Sequence, residues 1–319
     1  MRVALIGFGN VGRAFALLLE QKRASYPFRI VGAHSRHGTA IDNAGLGADA
    51  QLGPPLQSVD EFLDRSRPEV VVEITTLNPE SGEPAISHIR TAFQRGCHVI
   101  TANKGPIAHA YATLKEEARL AGVEFRFEST VMDGAPVFNS VRNNLPGVKV
   151  LGFTGALNST SKVVIEAMRR GKTMEEGIAE AQLMGIAEAD AGYDIDGWDS
   201  AAKTAALANV FLNAGVTPQD VERRGIRKLT PERVREITRR RKTLVLVSRA
   251  RTTHNGIRLR VRGEVLDDTD LLASVKGTSN ILLLHTDLMG TVGTVSISPG
   301  IHQTAYGVFS DLVDIAKSL

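Results

Sequence analysis

Apolar runs and amphipathic stretches alternate along the first 127 residues. Residues 2–6, RVALI, are an apolar run ended by Gly7, and RAFALLLEQ at 13–21 follows with helical spacing. FRIVGA (28–33), EVVVEITT (69–76), HVIT (98–101) and VEFRF (123–127) read as further strands, with helices over 83–95 and 107–121. The β-branched run at 69–76 has no polar alternation, the mark of a strand buried on both faces of a parallel sheet. Residues 39–66 carry GLGADAQLGPPL and read as loop.

Beyond 127 the alternation becomes irregular. A strand is expected at 149–156, and helices at 163–169, 174–184 and 199–213. From 243 to 297 the pattern is strand again: TLVLVSRA, IRLRVRGEVL, SNILLLHTDL and TVGTVSI. Arg258-Leu259-Arg260-Val261-Arg262 alternates strictly, so one face of that strand meets solvent. Such a sheet needs a helix layer or a second subunit on its apolar face. Residues 300–319 are helical in period and could return to cover the first part.

The first strand-to-helix turn holds a motif. Gly7-Phe8-Gly9-Asn10-Val11-Gly12 is G-x-G-x-x-G between a strand and a helix, the context in which it is credible as a dinucleotide fingerprint. Its glycines allow a tight turn and let backbone N–H groups approach a pyrophosphate. The second strand then ends in His34-Ser35-Arg36-His37, with no carboxylate for a ribose hydroxyl. Ser35 and Arg36 suit a 2′-phosphate, so NADP is expected over NAD, with Arg36 as the clamp. A surface arginine on a loop is the competing reading. Thr75, Thr76 and Lys104 fall at the C-terminal ends of strands, where ligands of open α/β sheets sit. Lys104 reads equally as a solvated loop lysine.

The second concentration of chemistry is EAQLMGIAEADAGYDIDGWDSAAK, residues 180–203. Glu188, Asp190, Asp194, Asp196 and Asp199 precede Lys203. If Gly197 opens a helix, Asp199 and Lys203 share one face. That spacing also describes an ordinary surface pair worth a few tenths of a kcal/mol. The interleaved Gly185, Gly192, Gly197 and Trp198 are unlike a solvated helix. Carboxylates for an ammonium and a lysine for a reacting oxygen are what an amino-acid site needs.

Composition narrows the rest. Cys97 is the one cysteine, so no intramolecular disulfide is possible and a reducing, cytoplasmic setting is expected. No signal peptide and no run of eighteen apolar residues are seen, so no membrane partner is expected. The net charge of +3 is uneven: residues 223–242 hold ten basic and two acidic residues. Without interleaved aromatics this run reads as a solvated helix or an anionic-ligand surface, and nucleic acid is not an expected partner.

GFGNVG (7–12), TANKGPIA (101–108), GALNSTSKVVI (155–165), EAQLMGIAEAD (180–190), DIDGWDSAAK (194–203), KGTSNILLL (276–284) and TAYGVFSDL (304–312) together resemble homoserine dehydrogenase in its short form, without a regulatory domain. The resemblance implies α/β architecture: a Rossmann-type domain at 1–135 and 300–319, and an α+β catalytic and dimerisation domain at 136–299. It implies a homodimer that reversibly reduces L-aspartate 4-semialdehyde to L-homoserine. Carried over, Glu188 binds the substrate amino group, Asp194 and Asp199 hold substrate, and Lys203 with Lys104 lies near the reacting oxygen. Gly185 and Gly300 approach cofactor or substrate by backbone. Glu128, Val131, Asp133 and Ala135 resemble a monovalent-cation loop for sodium or potassium. The chain departs from the family at Lys162, where asparagine is usual, and at Ser298-Pro299-Gly300-Ile301. Two other readings stay open: a dehydrogenase of another small amino or hydroxy acid, and a non-catalytic NADP-binding sensor.

Overall fold

The computed structural model describes residues 1–187, 190–254 and 256–319. It divides into two compact units, Met1–Arg142 with Gly300–Leu319, and Asn143–Pro299. Among the described residues each unit contains one six-stranded sheet. No described helix is long and apolar enough to cross a membrane.

The first unit runs β1 (Arg2–Ile6), α1 (Asn10–Lys22), β2 (Arg29–Ser35), β3 (Gly38–Ile41), α2 (Val59–Ser66), β4 (Val70–Glu73), α3 (Ala85–Gln94), β5 (His98–Thr101), α4 (Lys104–Ala121), β6 (Phe125–Arg126) and α5 (Phe138–Asn144). The sheet order is β3-β2-β1-β4-β5-β6, parallel except for β3. β1 lies centrally, and Val3, Ala4, Leu5 and Ile6 are sealed from solvent. The C-terminal helix, Ile301–Ser318, returns Val308, Phe309, Leu312 and Ile315 to the core around Val3, Leu5 and Phe15. Phe309 stands edge-on to Tyr26 at 5.2 Å.

The 39–66 segment is not all loop. It contains β3, and α2 begins after Ser58, whose hydroxyl accepts from Glu61 N at 3.1 Å. Ser-x-x-Glu is a helix-start signature, and the prolines and glycines just before it hid it. α5 was also absent from the sequence reading. Its first amides are capped by Glu128, ten residues upstream, which no local pattern reveals.

The second unit runs β7 (Val150–Ala156), α6 (Ser159–Arg169), α7 (Met174–Leu183), α8 (Gly192–Ile195), α9 (Trp198–Leu212), β8 (Glu222–Arg224), α10 (Pro231–Arg239), β9 (Lys242–Thr253), β10 (Gly256–Asp267), α11 (Leu271–Ser274), β11 (Asn280–Thr286) and β12 (Thr291–Ser296). The sheet order is β12-β11-β7-β9-β10-β8. The alanines of α9 are buried, which lets this helix pack closely on β7, β9 and β10. On the other sheet face, Leu272, Ala273 and Val275 cover Val245, Val247 and Ile281.

The basic run is divided. Arg223 stacks on Trp198 at 3.7 Å, and Arg227 holds Asp196 with two bonds of 2.6 and 2.9 Å. In and just after α10, Arg233 and Arg240 pair with Glu236 and Arg235 with Glu232, each about one turn away.

Candidate active site

In the first unit the chain leaves β1 through Gly7, whose φ of +104° only glycine adopts readily. A Cβ there would stand 2.5 Å from the Ile74 carbonyl oxygen, so the turn closes only without a side chain. At Gly9, by contrast, a Cβ would have no heavy atom within 4 Å. That open side is where a ligand can approach the backbone at the start of α1. Gly7, Phe8, Gly9, Ser35, Arg36, Thr75 and Thr76 line one cavity of about 770 Å³, with Arg13, His34, His37 and His88. Asn10, Val11 and Gly12 form the first turn of α1. Size, glycine turn and helix N-terminus fit a dinucleotide.

Arg36 Nε donates to His37 Nε2 at 2.9 Å, and the His37 amide donates to Ser35 Oγ at 3.2 Å. The loop after β2 is thereby folded on itself with Arg36 exposed. His34 stacks on Phe62 at 5.2 Å and bonds Thr39 Oγ1 at 2.7 Å through Nδ1. Burial pulls the His34 and His88 rings below the ordinary histidine range.

The strand ends beside this cavity are braced by a residue the sequence reading passed over. Glu73 is sealed from solvent, its Oε1 accepting from Thr75 N at 3.0 Å and from the Thr75 hydroxyl, and its Oε2 from Thr101 Oγ1 at 2.7 Å. Burial raises its pKa, and the threonine bonds act in the other direction. A lone carboxylate ending a β-branched strand was the available signal. Lys104 is the half-buried first residue of α4, after the cap residue Asn103. Gly300 caps the C-terminal helix with extended backbone.

The Glu128 loop is committed to its own fold. Glu128 Oε1 accepts from Val137 N at 2.6 Å and Phe138 N at 2.8 Å, and Oε2 from Asn139 N at 2.6 Å. Asp311 accepts from Glu128 N at 2.7 Å and from Asn139 Nδ2 at 3.0 Å. Burial, then the Asp311 charge, push Glu128 up to about 7, against the three amides. Burial pushes Asp311 up to about 6. The Ala135 carbonyl accepts from Val137 N at 2.8 Å. Asp133 holds a φ of +57°, and its side chain accepts from Thr304 Oγ1 at 3.3 Å. No group of three or more metal-binding side chains occurs among the described residues.

In the second unit, β7 delivers Leu157 and Asn158 to the start of α6. Asn158 caps α6 by accepting from Ser161 N at 2.7 Å. Its Nδ2 donates to Asp194 Oδ1 at 2.6 Å and to Asp199 Oδ2 at 3.0 Å. Thr160 Oγ1 donates to Asp194 Oδ2 at 2.9 Å. Gly197, at φ +82°, turns the chain into α9 and sets Asp199 and Lys203 one turn apart. Lys203 Nζ lies 3.1 Å from Asp199 Oδ2 and donates to the Leu157 carbonyl at 2.7 Å. Both side chains are largely buried, at 16% and 11% exposure, so this is no ordinary surface pair.

Burial, then the Asp199 charge, raise the Asp194 pKa, while Asn158, Thr160 and Lys203 lower it. Burial, then Asp199 and Asp194, also raise the Tyr193 phenol, whose buried hydroxyl has no hydrogen-bond partner among the described residues. Asn158, Thr160 and Tyr193 are site members the sequence did not single out, although a polar cluster before α6 was visible. Lys162 is buried and donates to Asn280 Oδ1 at 2.9 Å. Gly185 follows α7 at φ +69°. Glu188 lies outside the described residues.

The family model for homoserine dehydrogenase matches residues 136–313, and that for the homoserine dehydrogenase NAD binding domain matches 7–128. The chain is 35% identical to the NAD(+)-dependent homoserine dehydrogenase of Pseudomonas canavaninivorans, covering 99% of this chain and 96% of the relative. It is 33% identical to homoserine dehydrogenase of Methanocaldococcus jannaschii, covering 100% and 99%. The crystal structure of homoserine dehydrogenase from Thermoplasma acidophilum superposes with a TM-score of 0.87 at 26% identity, over 99% of both chains. A hyperthermophilic archaeal homoserine dehydrogenase in complex with NADPH gives 0.84 at 26% identity, over 100% and 98%. The chain belongs to the homoserine dehydrogenase family, oxidoreductases that act on a CH–OH group with NAD(P).

Proposed function

We propose that this enzyme reversibly reduces L-aspartate 4-semialdehyde to L-homoserine and favours NADP over NAD. The observation that carries the reading is the buried array Asp194–Asn158–Asp199–Lys203. Two carboxylates tied to one amide crowd negative charge that a substrate ammonium neutralises. Asp194 and Asp199 therefore hold the amino acid, and family likeness adds Glu188. When bound, the nicotinamide supplies or removes the hydride.

As the aldehyde carbon is reduced, charge grows on its oxygen. The Lys203 ammonium stabilises that charge and donates the proton that completes the alcohol. In the reverse direction the neutral amine takes the hydroxyl proton. Asp199 and the Leu157 carbonyl fix the direction of Nζ, so the donor is preorganised. Lys104, Gly185 and Gly300 are assigned by family likeness alone. A sensor would need no buried lysine–carboxylate array of this kind.

The cavity at the Gly7–Gly12 turn is the cofactor site in this reading, with Ser35 and Arg36 on the 2′-phosphate. The guanidinium forks onto phosphate oxygens more strongly than onto a ribose hydroxyl. NAD use is the second reading, because the Pseudomonas canavaninivorans relative is named NAD(+)-dependent. A homodimer belongs to the proposal. Leu288, Met289, Val295 and Ile297 expose apolar surface along the β11–β12 hairpin that a second copy would cover.

Initial rates with homoserine and each cofactor test these assignments. Arg36→Ala should lower kcat/KM for NADP about 10- to 100-fold, the scale of one or two charge-assisted bonds, and leave NAD nearly unchanged. Faster wild-type turnover with NAD, or an unaltered preference in Arg36→Ala, overturns the NADP assignment. Absence of homoserine turnover with both cofactors overturns the reaction itself.

A further inference from the structure

Asp194 and Asp199 accept from one nitrogen, Asn158 Nδ2, so their like charges stand within a few ångström of each other and repel. Between them runs the turn from α8 to α9, through Gly197 at φ +82°. A glycine is the least stiff residue on which to close such a turn. Opening it would relieve the repulsion and part the two carboxylates. Asn158 and Thr160 grip the carboxylates from α6.

A second grip comes from the opposite side, from residues 223–227 of the basic run. Arg223 Nη1 donates to the Asp196 carbonyl, and its guanidinium stacks on Trp198 at 3.7 Å. Arg227 forks onto the Asp196 carboxylate at 2.6 and 2.9 Å. It also lies along α8, since a Cβ on Gly192 would stand 3.3 Å from Arg227 Nη2. Ile226 N donates to the Ile195 carbonyl at 2.8 Å. Gly225 lets the two backbones meet: a Cβ there would stand 2.2 Å from the same Ile195 oxygen. The segment is itself anchored, because Glu222–Arg224 pair with β10 at the sheet edge. These links fall on Gly192, Ile195, Asp196 and Trp198, which flank Asp194 and lead into Asp199.

We propose that Arg223 and Arg227 are positioning residues for the substrate site, holding the α8–α9 turn closed so that Asp194 and Asp199 converge on one ammonium. This rests on the assignment of those two carboxylates to the amino group of homoserine. Asp196 is the tether, its carboxylate taken up by Arg227. Arg223 is the stronger half of the clamp, because it is half-buried on an indole while Arg227 is exposed.

Steady-state kinetics with homoserine and the better of the two cofactors test it. Arg223→Ala should raise the KM for homoserine about tenfold, the scale of a half-buried cation–π contact with a charge-assisted bond. Arg227→Ala should raise it about threefold, the scale of one surface pair of good geometry. Saturating substrate draws the carboxylates together again, and Asp199 and Lys203 ride on one helix, so kcat and cofactor KM should stay at wild-type values. Arg223→Lys, which keeps a cation over Trp198, should recover most of the loss. Asp196→Ala should match Arg227→Ala, and the double variant should be no worse than either, because both remove one contact. Arg233→Ala, on α10, should behave as wild type. An unchanged homoserine KM in Arg223→Ala sinks the proposal, as do additive losses in the double variant. A parallel fall in kcat, cofactor affinity and melting temperature does the same, since that is the mark of a merely structural segment. Wild type without homoserine turnover overturns the reaction itself, and this proposal with it.

Discussion

Lys203 Nζ lies 3.1 Å from Asp199 Oδ2, one turn earlier on the same face of α9. The same nitrogen donates to the Leu157 carbonyl at 2.7 Å, which fixes where one of its protons points. Lys203→Ala should lower kcat about 10²-fold or more, the scale of an acid–base residue, while cofactor affinity stays at the wild-type value. Steady-state kinetics and a fluorescence titration with NADPH read the two quantities. Near wild-type turnover removes Lys203 from the mechanism.

Asn158 bonds both Asp194 and Asp199, and it also caps α6. Asn158→Ala should cost about 1 kcal/mol of stability as a lost cap. It should also raise the KM for homoserine, because the two carboxylates lose the donor that fixes their spacing. Asn158→Ser tests the split: serine is a competent cap but reaches neither carboxylate. It should restore the melting temperature and leave KM high. Recovery of both would make Asn158 structural only.

Elements that close on local signals were legible in the sequence. The β1–Gly7–α1 turn could be read because glycines and periodicity lie within twenty residues of each other. The Asp199–Lys203 pair was visible as spacing, but its burial depends on β7 supplying Leu157 and Asn158 from more than forty residues away. α5 was missed because Glu128 supplies its cap through tertiary structure. α2 was missed for a different reason, since its Ser58 cap signal was present and loop composition outweighed it.

The Glu128–Asp311 contact makes a pH prediction. Both carboxyls titrate higher in the folded chain than the ordinary range, at about 7 and about 6. Between the unfolded and folded values the folded chain binds more protons at these two groups, so their contribution to stability is fully present at low pH and is lost as pH rises through the window. Asp311→Asn removes one titration and also the like charge that pushes Glu128 up. Melting temperature should therefore fall less steeply between about pH 4.5 and pH 7 in the variant than in wild type. Equal slopes would mean these groups do not control the pH response.

Glu73 offers a test of strand-end bracing. Its two oxygens accept three bonds from Thr75 and Thr101, joining the ends of β4 and β5 next to the nucleotide cavity. Glu73→Ala strands those donors in a sealed site, and each lost partner costs about 1–3 kcal/mol. A drop of several kcal/mol in denaturant unfolding is expected, with a higher KM for cofactor because Thr75 lines the cavity. Glu73→Gln keeps the shape and one acceptor oxygen, which can still serve Thr75, and turns an amide toward Thr101. Because burial already disfavours the charged form of Glu73, the amide should lose far less than alanine. If glutamine proves as damaging as alanine, the negative charge itself is required there, and a bracing role alone does not account for Glu73.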